Sequence, residues 1–230
     1  MDILQAMQAR HSVRKYTAQK IESEKVEALQ EEIAACNQEA DLRIQLFTEA
    51  PEAFGSLLAH YGLFHGVQNY IALVGKESAS LEEKVGYYGE RLVLKAQMLG
   101  LNTCWVAASF SRRKCKAEIA ADEKLVCVIA LGYGTNQGRP HRNKPLESLC
   151  RYEGEMPTWF LRGMEAAMLA PTAINQQKFR FHLHGDQVRA EATGGPYSLV
   201  DLGIVRYHFE LGAGQENFSW ENPLLRRHKQ

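Results

Sequence analysis

Four stretches of this chain carry side chains whose types and spacing could do chemistry. The first is Arg10-His11-Ser12-Val13-Arg14. In extended backbone, positions two apart face the same way. Arg10, Ser12 and Arg14 would then offer two cations and a hydroxyl to one anionic ligand. A phosphate suits them, and so does the pyrimidine edge of a flavin, which gains negative charge on reduction and is stabilised by a nearby cation. A solvated basic turn after a helix would show the same residues. The second stretch, residues 139–144 (RPHRNK), follows a predicted strand and sets Arg142 and Lys144 two apart, where loops after strand ends often hold anions. Gly132 and Gly134 lie nearby, but Gly138 is misplaced for a dinucleotide fingerprint and no helix follows. The third stretch is Ala170-Pro171-Thr172-Ala173-Ile174-Asn175-Gln176. Its small residues let a planar ligand approach the backbone, and Asn175 offers both a donor and an acceptor. An ordinary helix-stopping loop is the alternative. In the fourth, Gly86-Tyr87-Tyr88-Gly89-Glu90-Arg91 enters an apolar helix and residues 100–106 leave it, ending in Trp105 and Val106. A packed core would give much of the same pattern.

Other residues point to less. His182 and His184 share a strand face but have no evident third metal ligand. The cysteines Cys36, Cys104, Cys115, Cys127 and Cys150 are odd in number and form no CxxC pair, which argues against a disulfide framework or a zinc site and for reduced thiols. Lys+Arg and Asp+Glu are both 27, so there is no basic excess to hold nucleic acid. The basic run Arg226-Arg227-His228-Lys229 reads as a solvated end. No apolar stretch is long enough to suggest a membrane span, and the start of the chain lacks the pattern of a secretory signal. These features together give the expectation of a cytoplasmic globular protein.

The elements that must position these residues follow from capping and periodicity. Asp2 caps a first helix ending near Arg10, and residues 11–16 leave it extended. A second helix starts at Ser23. Residues 42–47 alternate as a strand, residues 50–66 read as a short helix with loops, and residues 69–74 form a short buried strand. Residues 80–99 form the strongest helix, apolar on nearly every side in its second part and stopped by Gly100. Residues 103–108 follow as a strand or extended turn. A short helix is expected at 114–120 and a central strand at 125–131. A helix at 159–169, a hairpin of 179–183 with 188–192 around Gly185, and a last helix at 199–211 closed by Gly212 complete the reading. A faint echo links Leu92-Val93, Leu99-Gly100 and Trp105 with Ile204-Val205, Leu211-Gly212 and Trp220, which two similar lobes would explain.

In combination the motifs are more specific than they are singly. Arg10 to Tyr16 resembles the Arg-x-Ser-x-Arg-x-aromatic opening of the nitroreductase family. Residues 170–176 resemble that family's Ala-Pro-Ser-x-x-Asn-x-Gln loop, with Thr172 keeping the hydroxyl of the usual Ser. Residues 99–105 resemble its Leu-Gly-Leu-Gly-Thr-Cys-Trp segment. Leu131-Gly132-Tyr133 with Lys144-Pro145-Leu146 resembles its late Gly-Tyr and Lys-Pro-Leu-Glu stretch. The order is unusual, because the Ala-Pro-Ser loop normally follows soon after the first motif, where this chain has Ala34-Ala35-Cys36-Asn37. Val106-Ala107 also stands where the family often has Gly beside the ring.

The resemblance implies an α+β fold, a mixed sheet flanked by helices, in two lobes (residues 1–150 and 151–230) that mimic within one chain the family's usual homodimer. It implies one FMN site per chain. Arg10, His11, Ser12, Arg14, Trp105, Val106, Arg142 and Lys144 would come from the first lobe, and Pro171, Thr172, Ala173 and Asn175 from the second. It implies hydride transfer from NAD(P)H to a small acceptor such as a nitroaromatic, quinone or enone, with no catalytic acid or base and no metal. The chain would then be a monomer. Two rival readings are a flavin-binding protein for storage or sensing, and an interaction protein whose site has decayed.

Overall fold

The computed structural model describes residues 1–55 and 63–224. The basic tail at Arg226, Arg227, His228 and Lys229 and part of the loop expected at 50–66 lie outside them. The chain forms two compact units, one of residues 1–81 and 91–140, the other of residues 82–90 and 141–230. The second unit thus begins before residue 150 and takes in a piece of helix from the first half of the sequence. Arg142 and Lys144, expected with the first lobe, belong to it.

The first unit opens with α1 (Ile3–Ala9). Asp2 Oδ1 accepts from the Gln5 N–H at 2.8 Å and Gln5 Oε1 accepts from the Asp2 N–H at 3.1 Å, a reciprocal cap that contributes about 1 kcal/mol. Helix α2 (Ser23–Ala40) buries Leu29, Ile33, Cys36 and Ala40 along one face. Strands β1 (Gln45–Phe47), β2 (Asn69–Lys76), β3 (Asn102–Val106) and β4 (Glu123–Gly132) form a sheet in the order β1-β2-β4-β3, each neighbouring pair antiparallel. The central strands are buried nearly throughout, hence their unbroken apolar sequences. Fully burying a side chain such as Ile71 or Leu73 contributes about 2 kcal/mol.

Two expectations shift here. The strand expected at 42–47 contracts to β1 because the Asn37 side chain takes both main-chain groups of Ile44, accepting its N–H at 2.7 Å and donating to its carbonyl at 3.0 Å. Residues 114–120 form no α-helix beyond a 3-10 turn at Arg112–Lys114. Their backbone N–H groups go instead to side chains, Lys116 to Tyr70 Oη, Glu118 to Gln45 and Ala120 to Glu123, at 2.8–2.9 Å.

Helix α3 (Leu81–Met98) serves both units. In its second half Leu92, Val93, Leu94 and Ala96 are fully buried, and Gly100 at φ 79° ends the run. Its first half is polar and belongs to the second unit. There it meets α6 (Ser198–Ala213) backbone to backbone. A Cβ on Gly86 would lie 2.0 Å from the Val200 carbonyl oxygen, and one on Gly203 would lie 2.0 Å from that of Glu83. An ion pair joins Glu83 to Arg206 at 2.9 Å, a hydrogen bond joins His208 Nε2 to Glu90 Oε1 at 2.9 Å, and Tyr87 donates to Glu210 at 2.5 Å.

The second unit also holds α4 (Leu146–Leu149), α5 (Thr158–Ala167) and a sheet of β5 (Cys150–Tyr152), β6 (Phe179–His184), β7 (Gln187–Ala192) and β8 (Ser219–Trp220) in that order. The β6–β7 pair is the expected hairpin; β5 and β8 run parallel to their neighbours. Phe160, Phe181 and Phe209 make the core, Phe181 and Phe209 stacked at 4.7 Å. Gly212 does not close α6. The helix continues to Ala213, and Gly212 is where α5 passes, with the Arg162 carbonyl oxygen 2.5 Å from a would-be Cβ. Gly214, at φ 78°, is the C-cap. The faint sequence echo corresponds to a helix followed by an edge strand in each unit, α3 to β3 and α6 to β8, with β3 antiparallel to its neighbour and β8 parallel. The architecture is α+β.

Candidate functional site

In the first unit, Arg10 is the C-cap of α1 and turns the chain to extended backbone, φ −72° and ψ 119°. Beyond it the backbone is paired on several sides. The Val13 N–H donates to Thr103 O at 3.0 Å, the Tyr16 N–H to His65 O at 2.9 Å, and the Thr135 N–H to Lys15 O at 2.9 Å. The pairing is made of separate bridges, and the side chains do not alternate strictly: Arg10, Val13 and Tyr16 are buried, Arg14 and Lys15 exposed. Val13 and Tyr16 enter the core, where the Tyr16 hydroxyl donates to Val13 O at 2.7 Å. Arg10 is 3% exposed, Ser12 is half-buried and Arg14 is exposed.

These three side chains converge on Cys104 of β3. Burial pushes its thiol pKa up, opposed by Arg14, by a hydrogen bond with Ser12 and by Arg10. Two cations and a hydroxyl therefore lie about one thiol, a grouping that suits an anionic ligand. His11 is half-buried where Gly138, at φ 72°, approaches; a Cβ there would lie 2.7 Å from His11 Cβ and 2.9 Å from Ser12 O. Trp105 is half-buried, while the Val106 side chain belongs to the hydrophobic core, leaving only its backbone for a ligand. Asn102, in the sequence only one member of the 99–105 motif, has a role of its own. It is 5% exposed, accepts from the Gly134 N–H and donates to Gln137, both at 2.9 Å, and so fixes the loop that packs on Ser12.

In the second unit, residues 171–177 carry the other predicted ligands. Three non-glycine residues here have left-handed backbone, Ile174 at φ 47°, Asn175 at φ 56° and Gln177 at φ 45°. Such conformations cost about 1 kcal/mol or more each and persist only when the surroundings impose them. Ile174, a β-branched residue, is also 92% exposed.

Side chains supply the restraint. Gln177 is 4% exposed. Its N–H donates to Thr172 Oγ1 at 3.1 Å, and its Nε2 donates to Arg142 O at 2.8 Å and to Asn175 Oδ1 at 2.9 Å. The Lys144 N–H donates to Gln177 Oε1 at 2.9 Å. Asn175 donates to Arg142 O at 2.9 Å. Lys144 Nζ donates to the carbonyls of Gln176 and Gln177 at 2.7 and 3.1 Å. From α6, Asp201 accepts from the Ala173 N–H at 2.9 Å and from Gln176 Nε2 at 2.7 Å. Residues 142–144 and 171–177 are thus one stitched surface.

Arg142 and Lys144 take different parts in it. Arg142 is bound through its carbonyl and keeps its guanidinium exposed, whereas Lys144 spends two ammonium donors on the loop itself. Thr172 Oγ1 accepts from Gln177, so its own proton is directed elsewhere. Pro171 and Ala173 are half-buried and add little bulk. The surface presents backbone groups, the Thr172 hydroxyl and the Arg142 guanidinium. Gln177 and Asp201 were not singled out from sequence. The polar residues of a Pro-Thr loop gave a signal for Gln177; Asp201, inside an apolar helix, gave only its charge.

Among the described residues no group of three or more His, Cys, Asp or Glu could hold a metal ion. His182 instead bonds Glu191, Nε2 to Oε1, at 3.0 Å. No helix among them is long and apolar enough to cross a membrane.

Comparison with known proteins bears on these surfaces. Residues 2–213 match the family model described as "Putative TM nitroreductase". Comparison with curated protein sequences finds no match. Among solved structures, a putative nitroreductase from Thermotoga maritima superposes with a TM-score of 0.67 at 21% identity, over 94% of this chain and 85% of that one. A putative nitroreductase in complex with FMN from Desulfovibrio desulfuricans superposes at 0.52 and 18% identity, over 68% of this chain and 99% of that one. A putative NADH dehydrogenase/NAD(P)H nitroreductase from Parabacteroides distasonis does so at 0.52 and 20% identity, over 66% and 98%. At these identities the likeness is one of fold.

Proposed function

Because the chain belongs to the nitroreductase family, whose model spans its residues 2–213, we propose that it binds FMN and transfers hydride from NAD(P)H to a small acceptor such as a nitroaromatic or quinone. The observation that carries this reading is the grouping of Arg10, Ser12 and Arg14 about Cys104. Two cations and a hydroxyl so disposed fit a phosphate or the pyrimidine edge of a flavin. Arg142, Lys144, Pro171, Thr172, Ala173 and Asn175 are further proposed contacts, the loop's low bulk allowing close approach of a ring. His11, Trp105 and Val106 are the remaining contacts, Val106 through its backbone.

The chemistry FMN supplies when bound is reversible acceptance of two electrons. The chain's own residues then bind and orient, and Arg10 and Arg14 favour developing negative charge. No side chain is required as a general acid or base. The same reading makes the chain a cytoplasmic monomer with one cofactor site.

The test is a visible spectrum of the purified protein after addition of FMN and desalting, followed by NADH or NADPH without air. Retained yellow colour that bleaches on adding nicotinamide supports an oxidoreductase. Colour that stays unbleached favours a flavin-binding protein for storage or sensing. Loss of all flavin on desalting rejects the reading.

A further inference from the structure

We propose that Asp201, on the first turn of α6, is the positioning residue that sets the conformation of the ligand loop 171–177. The assignment to a ligand loop rests on the FMN reading above; the clasp itself rests on geometry. Asp201 is 3% exposed. One carboxylate oxygen accepts from the Ala173 N–H at 2.9 Å and the other from Gln176 Nε2 at 2.7 Å. Gln176 also donates to Pro196 O at 2.8 Å, which ties the turn before α6 into the same clasp. Between these two grips lie Ile174 and Asn175, both left-handed without being glycine. A loop strained at consecutive residues opens unless both of its ends are held. Asp201 reaches both sides of the strained pair with one side chain.

Asp201 does this without a counter-charge. Burial raises its pKa to about 6, while Gln176 and the Ala173 N–H lower it, and no charged side chain enters the balance. On α3, which packs against α6 at Val200 and Gly203, the charged residue at the contact is Glu83, which is paired with Arg206. Across the loop Lys178 lies beside Gly195, and Tyr197 precedes α6. The direction of the pH effect follows from linkage. The clasped carboxyl has a higher pKa than one released to water, so the clasped form holds more protons between about pH 4 and 6. Closure is strongest at the acid end of that window and weakens as pH rises through it. Above pH 6 the carboxylate is ionised in both forms and closure no longer changes with pH on its account.

The experiment is amide hydrogen exchange of flavin-free protein with and without Asp201→Ala, Asp201→Asn and Gln176→Ala, beside FMN titration by flavin fluorescence. Asp201→Ala should lower protection of the Ala173 amide by about tenfold, the loss of one charge-assisted bond. Gln176→Ala, which leaves the Asp201 bond to Ala173, should lower protection across 174–177 and guards against a folding defect in the first variant. In wild type, protection corrected for intrinsic exchange should fall between pH 4 and 6; in Asp201→Asn it should be flat. FMN affinity at pH 7 should fall with loop protection. Unchanged Ala173 protection in Asp201→Ala overturns the clasp. A changed loop with unchanged FMN affinity overturns its role in positioning the ligand. Failure of wild type to bind FMN, with the exchange effect intact, keeps the clasp and removes its assignment to flavin, so the two claims fail separately.

Discussion

The extended segment at residues 10–16 and the loop at 171–177 carry the same kind of motif but are held in different ways. The segment is held by its own backbone, through Val13 to Thr103, Tyr16 to His65 and Lys15 to Thr135. Backbone pairing ignores most side-chain identities, so Arg10, Ser12 and Arg14 are free to be whatever a ligand requires. The loop is held by side chains, those of Thr172, Asn175, Gln176, Gln177, Lys144 and Asp201. Its left-handed residues exist because particular donors and acceptors surround them. The lesson is that one motif should tolerate substitution in its frame and the other should not.

The largest expected effect is on the loop. Gln177→Ala removes a buried carboxamide and strands the Lys144 N–H that it satisfied. We expect a loss of about 3 kcal/mol, since a buried group left without its partner costs more than the bond contributed. Urea denaturation followed by the fluorescence of Trp159 and Trp220 would measure it. A loss below about 1 kcal/mol would mean that backbone, as in the segment, holds the loop.

Next comes pH. The Asp201 pKa, raised from 3.8 to about 6 by burial, means that the folded chain binds more protons than the unfolded chain between those values. Its contribution therefore stabilises below about pH 4 and is lost as pH rises towards 6. Wild type should lose about 2 kcal/mol relative to Asp201→Asn between pH 4 and 7, the shift being worth roughly that much. Denaturation curves of the two proteins across the range test it, and parallel pH dependence would count against a buried, uncompensated carboxylate.

A smaller change should run the other way. Glycine takes left-handed backbone without the Cβ penalty, and the Ile174 side chain is 92% exposed, so little packing is lost. Ile174→Gly should raise stability by about 1 kcal/mol. A destabilised variant would show that the exposed isoleucine has packing that offsets its strain.

The smallest effect belongs to the segment. Ser12→Ala leaves every backbone bond of residues 13–16 in place and should change stability by about 0.5 kcal/mol or less. FMN affinity should nonetheless fall about fivefold, the order expected for one hydroxyl hydrogen bond. A large loss of stability would erase the distinction between the two regions.

Where bonding is local or periodic, the sequence by itself determined the outcome. Asp2 and Gln5 fixed the start of α1 because a capping box needs only residues three apart. The unbroken apolar runs of β2 and β4 announced central strands. Tertiary structure decided the rest, wherever a partner lies far along the chain. It turned Gly212 from a helix stop into a contact with α5, and it drew residues 82–90 into the second unit through Gly86 and Gly203. It moved Arg142 and Lys144 to the surface of the 171–177 loop and placed Asp201 beneath that loop. A buried carboxylate in an apolar helix has no period and no local signature; only the fold brings it within 2.9 Å of Ala173.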